Sequence, residues 1–217
     1  IVDYMEGSKV KVFGPNKIAS QLEGSKIFTK KICKKYKIPT ANFKIFENLN
    51  DAKEYLANSK YPIVIKSDGL AAGKGVYICK NYSEGEIAVK EIFGGKFGIT
   101  KELLVEEFLS GEEMSYFVIC DGKDYKFFGT AQDHKRVGEG DRGKNTGGMG
   151  CYSPSRLFNS KLVEKINMKI VNPTLNAIND LGTTYKGFLY VGLMIKDNEP
   201  YLVEFNVRMG DPECQTL

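Results

Sequence analysis

Residues 63–78 read IVIKSDGLAAGKGVYI. An apolar run, Ile63-Val64-Ile65, closes on Lys66. A loop with Gly69, Gly73 and Gly75 follows, with Lys74 between the last two, and a second apolar run leads from Val76 to Cys79. Two β-branched runs joined by glycines predict paired antiparallel strands. The loop fails as a P-loop, which needs G-x-x-x-x-G-K-[ST] at the start of a helix. Here Gly69 and Gly73 stand one residue too close, Gly75 takes the place of Ser or Thr, and a strand follows. A flap between strands is another way to cover a phosphate chain with backbone N–H groups and lysine charge, which makes Lys66 and Lys74 candidates to reach phosphate. The competing reading is an ordinary hairpin loop whose glycines supply positive φ, with Lys66 extending to solvent from a strand end.

The chain has 217 residues, which suits one large or two small domains. Its 42% hydrophobic content, with 13 Phe and 12 Tyr, is enough for a substantial core. Lys+Arg total 31 against 27 Asp+Glu, with the signs interspersed, and this near balance argues against a nucleic-acid partner bound by phosphate neutralisation. It remains compatible with anionic small substrates. No apolar run approaches the roughly 20 residues of a membrane span, so no membrane partner is expected. Five scattered cysteines without a C-x-x-C pair read as reduced thiols of a cytoplasmic protein, and a zinc site is not expected. The chain starts at Ile1 and stops just after a motif, and reads as part of a longer protein.

Outward from the opening stretch, the spacing predicts a short strand at 9–13 and a basic helix over 21–36 with Ser25 as a candidate N-cap. Phe28, Ile32 and Tyr36 would face the core, and Lys26, Lys30, Lys31, Lys34 and Lys35 would form a solvated face. A strand at 42–46, helices at 51–59 and 83–93, and a strand at 103–109 follow. Two hairpins are predicted, 114–120 with 125–131 and 187–196 with 200–207, turned at Asp121-Gly122 and Asp197-Asn198. Between them lie a glycine-rich loop, 132–154, too long for a turn, and a helix over 159–181 that Pro173 would kink or split. Hairpins with intervening helices give an α+β fold with antiparallel sheets.

Three further segments carry candidate chemistry. Glu106-Glu107-Phe108-Leu109 reads as an apolar strand edge that could offer backbone C=O and N–H groups to an adenine, with Glu113 beyond it placed to accept from ribose hydroxyls. Alternation puts Glu204 and Asn206 on one strand face with Arg208 next in line. A carboxylate beside an amide oxygen suits Mg²⁺, and the arginine suits phosphoryl oxygens; the alternative is the polar outer face of an edge strand. His134, the single histidine, stands in DHKR (133–136) with no nucleophile motif to serve. It is as suited to positioning the loop as to moving protons. Lys135, Arg136 and Arg142 suit an anionic guest or a solvated charge run.

Taken in order, IVIKSDGLAAGKGV, VEEFLSGEEMS, QDHKRVGEGDRGKNTGGMGCYSP, GFLYVGLMI and EFNVRMGDPE resemble the phosphoribosylamine–glycine ligase family of ATP-grasp enzymes, over essentially the whole chain. The resemblance implies an ATP-grasp fold, in which two subdomains of antiparallel sheet with helices grip ATP between them. It divides the chain into the end of an N-terminal α/β domain (1–15), a linker and the start of the ATP-grasp region (16–61), a small subdomain with flap and adenine edge (62–113), and a large, C-terminally incomplete subdomain (114–217). Glycine and 5-phosphoribosylamine are the implied substrates, joined with ATP through glycyl phosphate in purine biosynthesis, with Mg²⁺ or Mn²⁺ as metal and a monomer as the expected state.

By the same resemblance, Lys66 and Lys74 match the phosphate lysines, with Gly73 and Gly75 in the flap. Glu106, Glu107 and Leu109 fall at the adenine edge, and Glu113 at the ribose. Glu204 and Asn206 match the metal ligands. Asn145, Thr146, Gly147, Arg208 and Asp211 fall in segments like those lining the substrate sites, with Arg208 in a catalytic role. Lys144 and Cys151 depart from the family pattern, which has proline and alanine there, and Met194 stands where many ATP-grasp proteins carry another metal carboxylate. The alternatives are another carboxylate–amine ligase of purine synthesis, against which NTGGMG and RMGDPE speak, and a non-catalytic nucleotide-binding module, against which Lys66, Glu204 and Asn206 speak.

Overall fold

The computed structural model describes residues 1–217 apart from 71–74, 141 and 147, and leaves undescribed the side chains of 136 and 142–145. A four-stranded antiparallel sheet holds β1 (Phe43–Phe46), β2 (Ile63–Ser67), β3 (Val76–Cys79) and β4 (Leu103–Glu107) in the order β1-β4-β2-β3. β5 (Glu112–Asp121) and β6 (Tyr125–Asp133) open a second sheet. A ribbon of β7 (Arg136–Gly138) and β8 (Arg142–Asn145) follows, then β9 (Cys151–Tyr152), β10 (Lys186–Lys196) and β11 (Glu199–Asn206). The second sheet is antiparallel with order β11-β10-β5-β6-β9.

The helices are α1 (Val2–Met5), α2 (Gln21–Gly24), α3 (Lys26–Tyr36), α4 (Leu49–Ala57), α5 (Tyr82–Phe93), α6 (Ser160–Ile166), α7 (Asn172–Asp180) and α8 (Glu213–Thr216). The starts of α3, α4, α5 and α6 follow from local chemistry. Asn48, Asn81 and Asn159 each accept from the N–H three residues on, and Ser25 does the same for Phe28, satisfying a donor that the first turn leaves free. Asp197 and Asn198 have φ of 51° and 58°, the paired left-handed geometry that lets a two-residue loop join twisted strands. α4 and α5 cover the small sheet over Leu56, Ile65, Ile92 and Leu103. α3, α6 and α7 build the larger core with Tyr116, Ile166, Ile178 and Leu189.

Several expectations need correction. Residues 9–13 form no strand. The helix foreseen over 21–36 is two helices, because Ser25 takes an extended backbone (φ −141°, ψ 116°) to cap the second. The 159–181 helix is continuous through a π-helical turn at Asn167–Val171, and this wider turn precedes Pro173, which has no N–H to donate. The 132–154 segment is partly ordered: β9 adds to the large sheet through Gln132↔Tyr152 and Asp133↔Cys151. Finally, β4 is no edge. It pairs with β1 on one side and β2 on the other, and the strand stops at Glu107.

The connection from β4 to β5 passes Gly111, where a Cβ would run into the Ile195 carbonyl and lie 3.0 Å from the Met194 side chain. Gly111→Ala should therefore lower stability by about 1–3 kcal/mol, the usual cost of overpacking. Urea denaturation with an unchanged midpoint would show that β5 and β10 yield there freely.

Candidate active site

The two sheets face each other across a cavity of about 280 Å³. Its first wall comes from α3 and the small sheet. Lys66, at the end of β2, is 7% exposed, and its Nζ lies 3.0 Å from Glu106 Oε2 on β4. Lys30 Nζ lies 3.3 Å from the other oxygen, Oε1, which receives no hydrogen bond, so this contact is an ion pair. Lys26 Nζ donates to the Gly69 carbonyl at 2.8 Å. Asp68, beside that glycine, accepts from Ile27 N–H and the Ser25 hydroxyl, so the root of the flap is bound to the start of α3. Burial lowers the pKa of the Lys26 and Lys30 ammonium groups, against the opposing pull of Glu204 on the first and Glu106 on the second.

The facing wall is β11 and the segment after it. Gly192 pairs with Glu204 and Leu193 with Leu202, so Val203 is the extra residue of a β-bulge. The bulge re-aims the strand: Leu202 and Phe205 go to the core, while Glu204 and Asn206 line the cavity. A Cβ at Gly192 would come within 3.3 Å of Glu204 Cγ, so the small residue leaves room for that carboxylate. Met194 pairs with Tyr201 instead, away from Glu204. Arg208 lies past the end of β11; it donates to Glu23 at 3.0 Å and to Asn206 Oδ1 at 3.3 Å. Glu204 and Asn206 together form a hard-oxygen pair, a set that fits Mg²⁺, which is held by one or two carboxylates with phosphate and water completing the shell.

A third wall comes from the end of β6 and the residues around α8. Ser115 donates to Glu213 at 2.9 Å and, having one proton, accepts from the Tyr190 hydroxyl at 2.9 Å. Glu213 is 2% exposed, and a Cβ at Gly210 would overlap its carboxylate. Lys135 pairs with Glu113 at 3.1 Å. Burial works against its ammonium, but Tyr190, Glu113 and Glu204 prevail and hold its pKa above the ordinary lysine value. Asp133 is pushed up to about 6, first by burial and then by Glu213, and its Oδ1 is buried without a hydrogen-bond partner among the described residues.

Of the residues singled out from sequence, Lys66, Gly75, Glu106, Thr146, Glu204, Asn206, Arg208 and Asp211 line this one cavity. Glu113 lines a smaller recess beside it, shared with Asp133, Lys135, Tyr190 and Glu204. Glu107 is exposed, its carboxylate accepts from Asn42, and neither it nor Leu109 lines the cavity. Gly73, Lys74 and Gly147 lie outside the described residues, as does the side chain of Asn145. His134 is exposed and meets the 146–150 segment through its backbone, donating to Gly150 and accepting from Met149. Lys26 and Lys30, read as solvated, are instead part of the cavity wall, and Asp133, Tyr190 and Glu213 were missed. The signal for Lys30 was present: Ile27, Lys30 and Cys33 recur every three residues and share the buried face of α3.

Residues 24–214 match the family described as "Phosphoribosylglycinamide synthetase, ATP-grasp (A) domain". A phosphoribosylamine–glycine ligase of Mesorhizobium japonicum is 50% identical over 218 residues, covering 100% of this chain and 51% of the relative. The crystal structure of phosphoribosylamine–glycine ligase from Thermotoga maritima superposes with a TM-score of 0.88 at 39% identity, over 96% of this chain and 54% of that one. Biotin carboxylase from Campylobacter jejuni, solved as a beta-gamma-ATP complex, shares the fold at 18% identity and a TM-score of 0.77, over 99% of this chain and 47% of that one. The chain thus spans about half the length of the curated relatives it matches.

The Asp133 carboxyl binds its proton more tightly in the folded chain than its ordinary value of 3.8 allows. Protonation therefore favours folding; that contribution is complete below the unfolded value and is lost as pH rises through about 6. Asp133→Asn should raise the thermal midpoint at about pH 8, with the gain shrinking as pH falls toward 4. A gain of the same size at both ends of a midpoint-versus-pH series would rule out the carboxylate as its source.

Proposed function

The chain belongs to the phosphoribosylglycinamide synthetase ATP-grasp domain family, and from that premise we propose that the protein joins glycine to 5-phosphoribosylamine with ATP, yielding glycinamide ribonucleotide, ADP and phosphate. The observation that carries this reading is the cavity itself. Lysines from α3 and β2 face a carboxylate and an amide from β11 across a space sized for a nucleotide tail and a small acid. Charge of both signs on opposite walls suits a reaction that brings phosphate, metal and amine together.

In this reading, an oxygen of the glycine carboxylate attacks the γ-phosphorus of ATP, the bond to the bridging oxygen breaks, and ADP leaves. The amine nitrogen of phosphoribosylamine then attacks the carbonyl carbon of glycyl phosphate, phosphate departs, and the amine proton passes to solvent. Neither step needs a nucleophile from the protein. The chain supplies orientation and fixed charge. Lys66 and the flap residues Gly73, Lys74 and Gly75 would hold the phosphates, and Arg208 the phosphoryl oxygens in transfer. The backbone around Glu106, Glu107 and Leu109 would meet adenine, and Glu113 the ribose. Asn145, Thr146, Gly147 and Asp211 would contact the other substrates. Glu204 and Asn206 would hold a divalent cation, Mg²⁺ or Mn²⁺, which supplies neutralisation of phosphate charge. A cytoplasmic monomer goes with this reading.

The test is ADP release by the full-length protein. Release should require glycine and rise with phosphoribosylamine; release indifferent to both would sink the ligase reading. Glu204→Ala should cut metal-dependent turnover on the order of 100-fold or more, since even outer-shell partners of a metal are worth roughly 10–100-fold. Its thermal midpoint should stay near that of the parent. Turnover retained at parental level would remove Glu204 from the metal site.

A further inference from the structure

Lys30 is 3% exposed, and its ammonium is buried among polar partners. Its Nζ lies 3.3 Å from Glu106 Oε1, donates to Thr40 Oγ1 at 2.5 Å, and sits 5.5 Å from the centre of the Phe43 ring. Thr40 Oγ1 in turn donates to the Leu202 carbonyl at 2.6 Å, and Leu202 N–H donates to the Pro39 carbonyl at 2.8 Å. Leu202 stands two places before Glu204 on β11. On the other side, the second oxygen of Glu106 holds Lys66 at 3.0 Å. One line of polar contacts therefore runs from Lys66, through Glu106, Lys30 and Thr40, to the strand that carries Glu204 and Asn206.

We propose that Lys30 is a positioning residue for the polyphosphate of the nucleotide, acting through Glu106 and Thr40. This role rests on the nucleotide-binding reading above and is carried by charge and by geometry. A Lys66–Glu106 pair alone is neutral and asks for no anion. A second buried lysine shares the same carboxylate and leaves the group one positive charge in excess, which a phosphate completes. Glu106 belongs to the small sheet and Leu202 to the large one, and Lys30 meets the first directly and the second through the Thr40 hydroxyl, so the ammonium of Lys66 is held at a set distance from the oxygen donors of β11. A lysine serving only to fill space would need neither contact.

The experiment uses the full-length protein, with Mg²⁺·ATP affinity from titration calorimetry, separate KM values for ATP and glycine, and thermal midpoints. Lys30→Met, which keeps the chain length and removes the charge, should weaken ATP binding and raise its KM by roughly tenfold or more, while the KM for glycine stays within about twofold. Lys30→Arg should recover most of the ATP affinity. Thr40→Val keeps every charge, cuts the link to Leu202, and should also weaken ATP; it decides the matter if Lys30→Met does not fold. Parental ATP affinity in a folded Lys30→Met or in Thr40→Val overturns the proposal, as does an arginine variant as weak as the methionine one. A parent protein that binds no ATP overturns the functional reading together with this one, whereas a binding parent with unaffected variants overturns this one alone.

Discussion

Glu106 lies buried between the ammonium groups of Lys30 and Lys66, and the placement of the site depends on that arrangement. Three charges withdrawn from water are costly, and their attraction offsets the cost only while all three are present. Removing the carboxylate would strand both ammonium groups, typically at a loss of about 3–5 kcal/mol. Such a triad is weak as a device for stability. It makes sense as a device for position, because α3, β2 and β4 must keep their mutual distances for the charges to stay matched.

The large sheet answers with a defect in its regular alternation. Without the bulge at Val203, β11 would pass strictly from core to cavity and back, and Leu202 and Phe205 could not both be buried. The bulge allows both, and it leaves Glu204 and Asn206 facing the lysines with Gly192 opening space beside the carboxylate. Behind them, Glu213, Ser115 and Tyr190 form a buried hydrogen-bonded chain, while Asp133 keeps an oxygen without a partner among the described residues. Ammonium groups from α3 and β2 thus meet oxygen donors of β11 across the cavity, with Asp133 and Glu213 at its third wall beside Lys135.

About half of the length of the curated relatives is represented by this chain. The walls described above come from α3, the two sheets and the segment running to α8, all within the 24–214 match to the family. Thr146 and Asp211 lie on the same cavity.

The sequence by itself determined most of the elements and the pairing of the hairpins, because alternation, asparagine caps and the Asp197-Asn198 turn are local chemistry. It also singled out Lys66, Glu204 and Asn206, which the fold brings to one cavity. Tertiary structure alone decided three things. It placed β4 in the interior of its sheet, because strand order depends on which neighbours bury the apolar face, and a local run of Leu and Val cannot state that. It turned Lys30 from a presumed surface charge into a cavity residue, because its partner, Glu106, lies far along the chain. It set the bulge that aims Glu204 and Asn206, since a bulge is fixed by register against β10 and leaves no mark in β11 read alone. β2 and β3 pair on either side of the loop, and its root at Asp68 and Gly69 is held by α3, a contact between segments that no local pattern predicts.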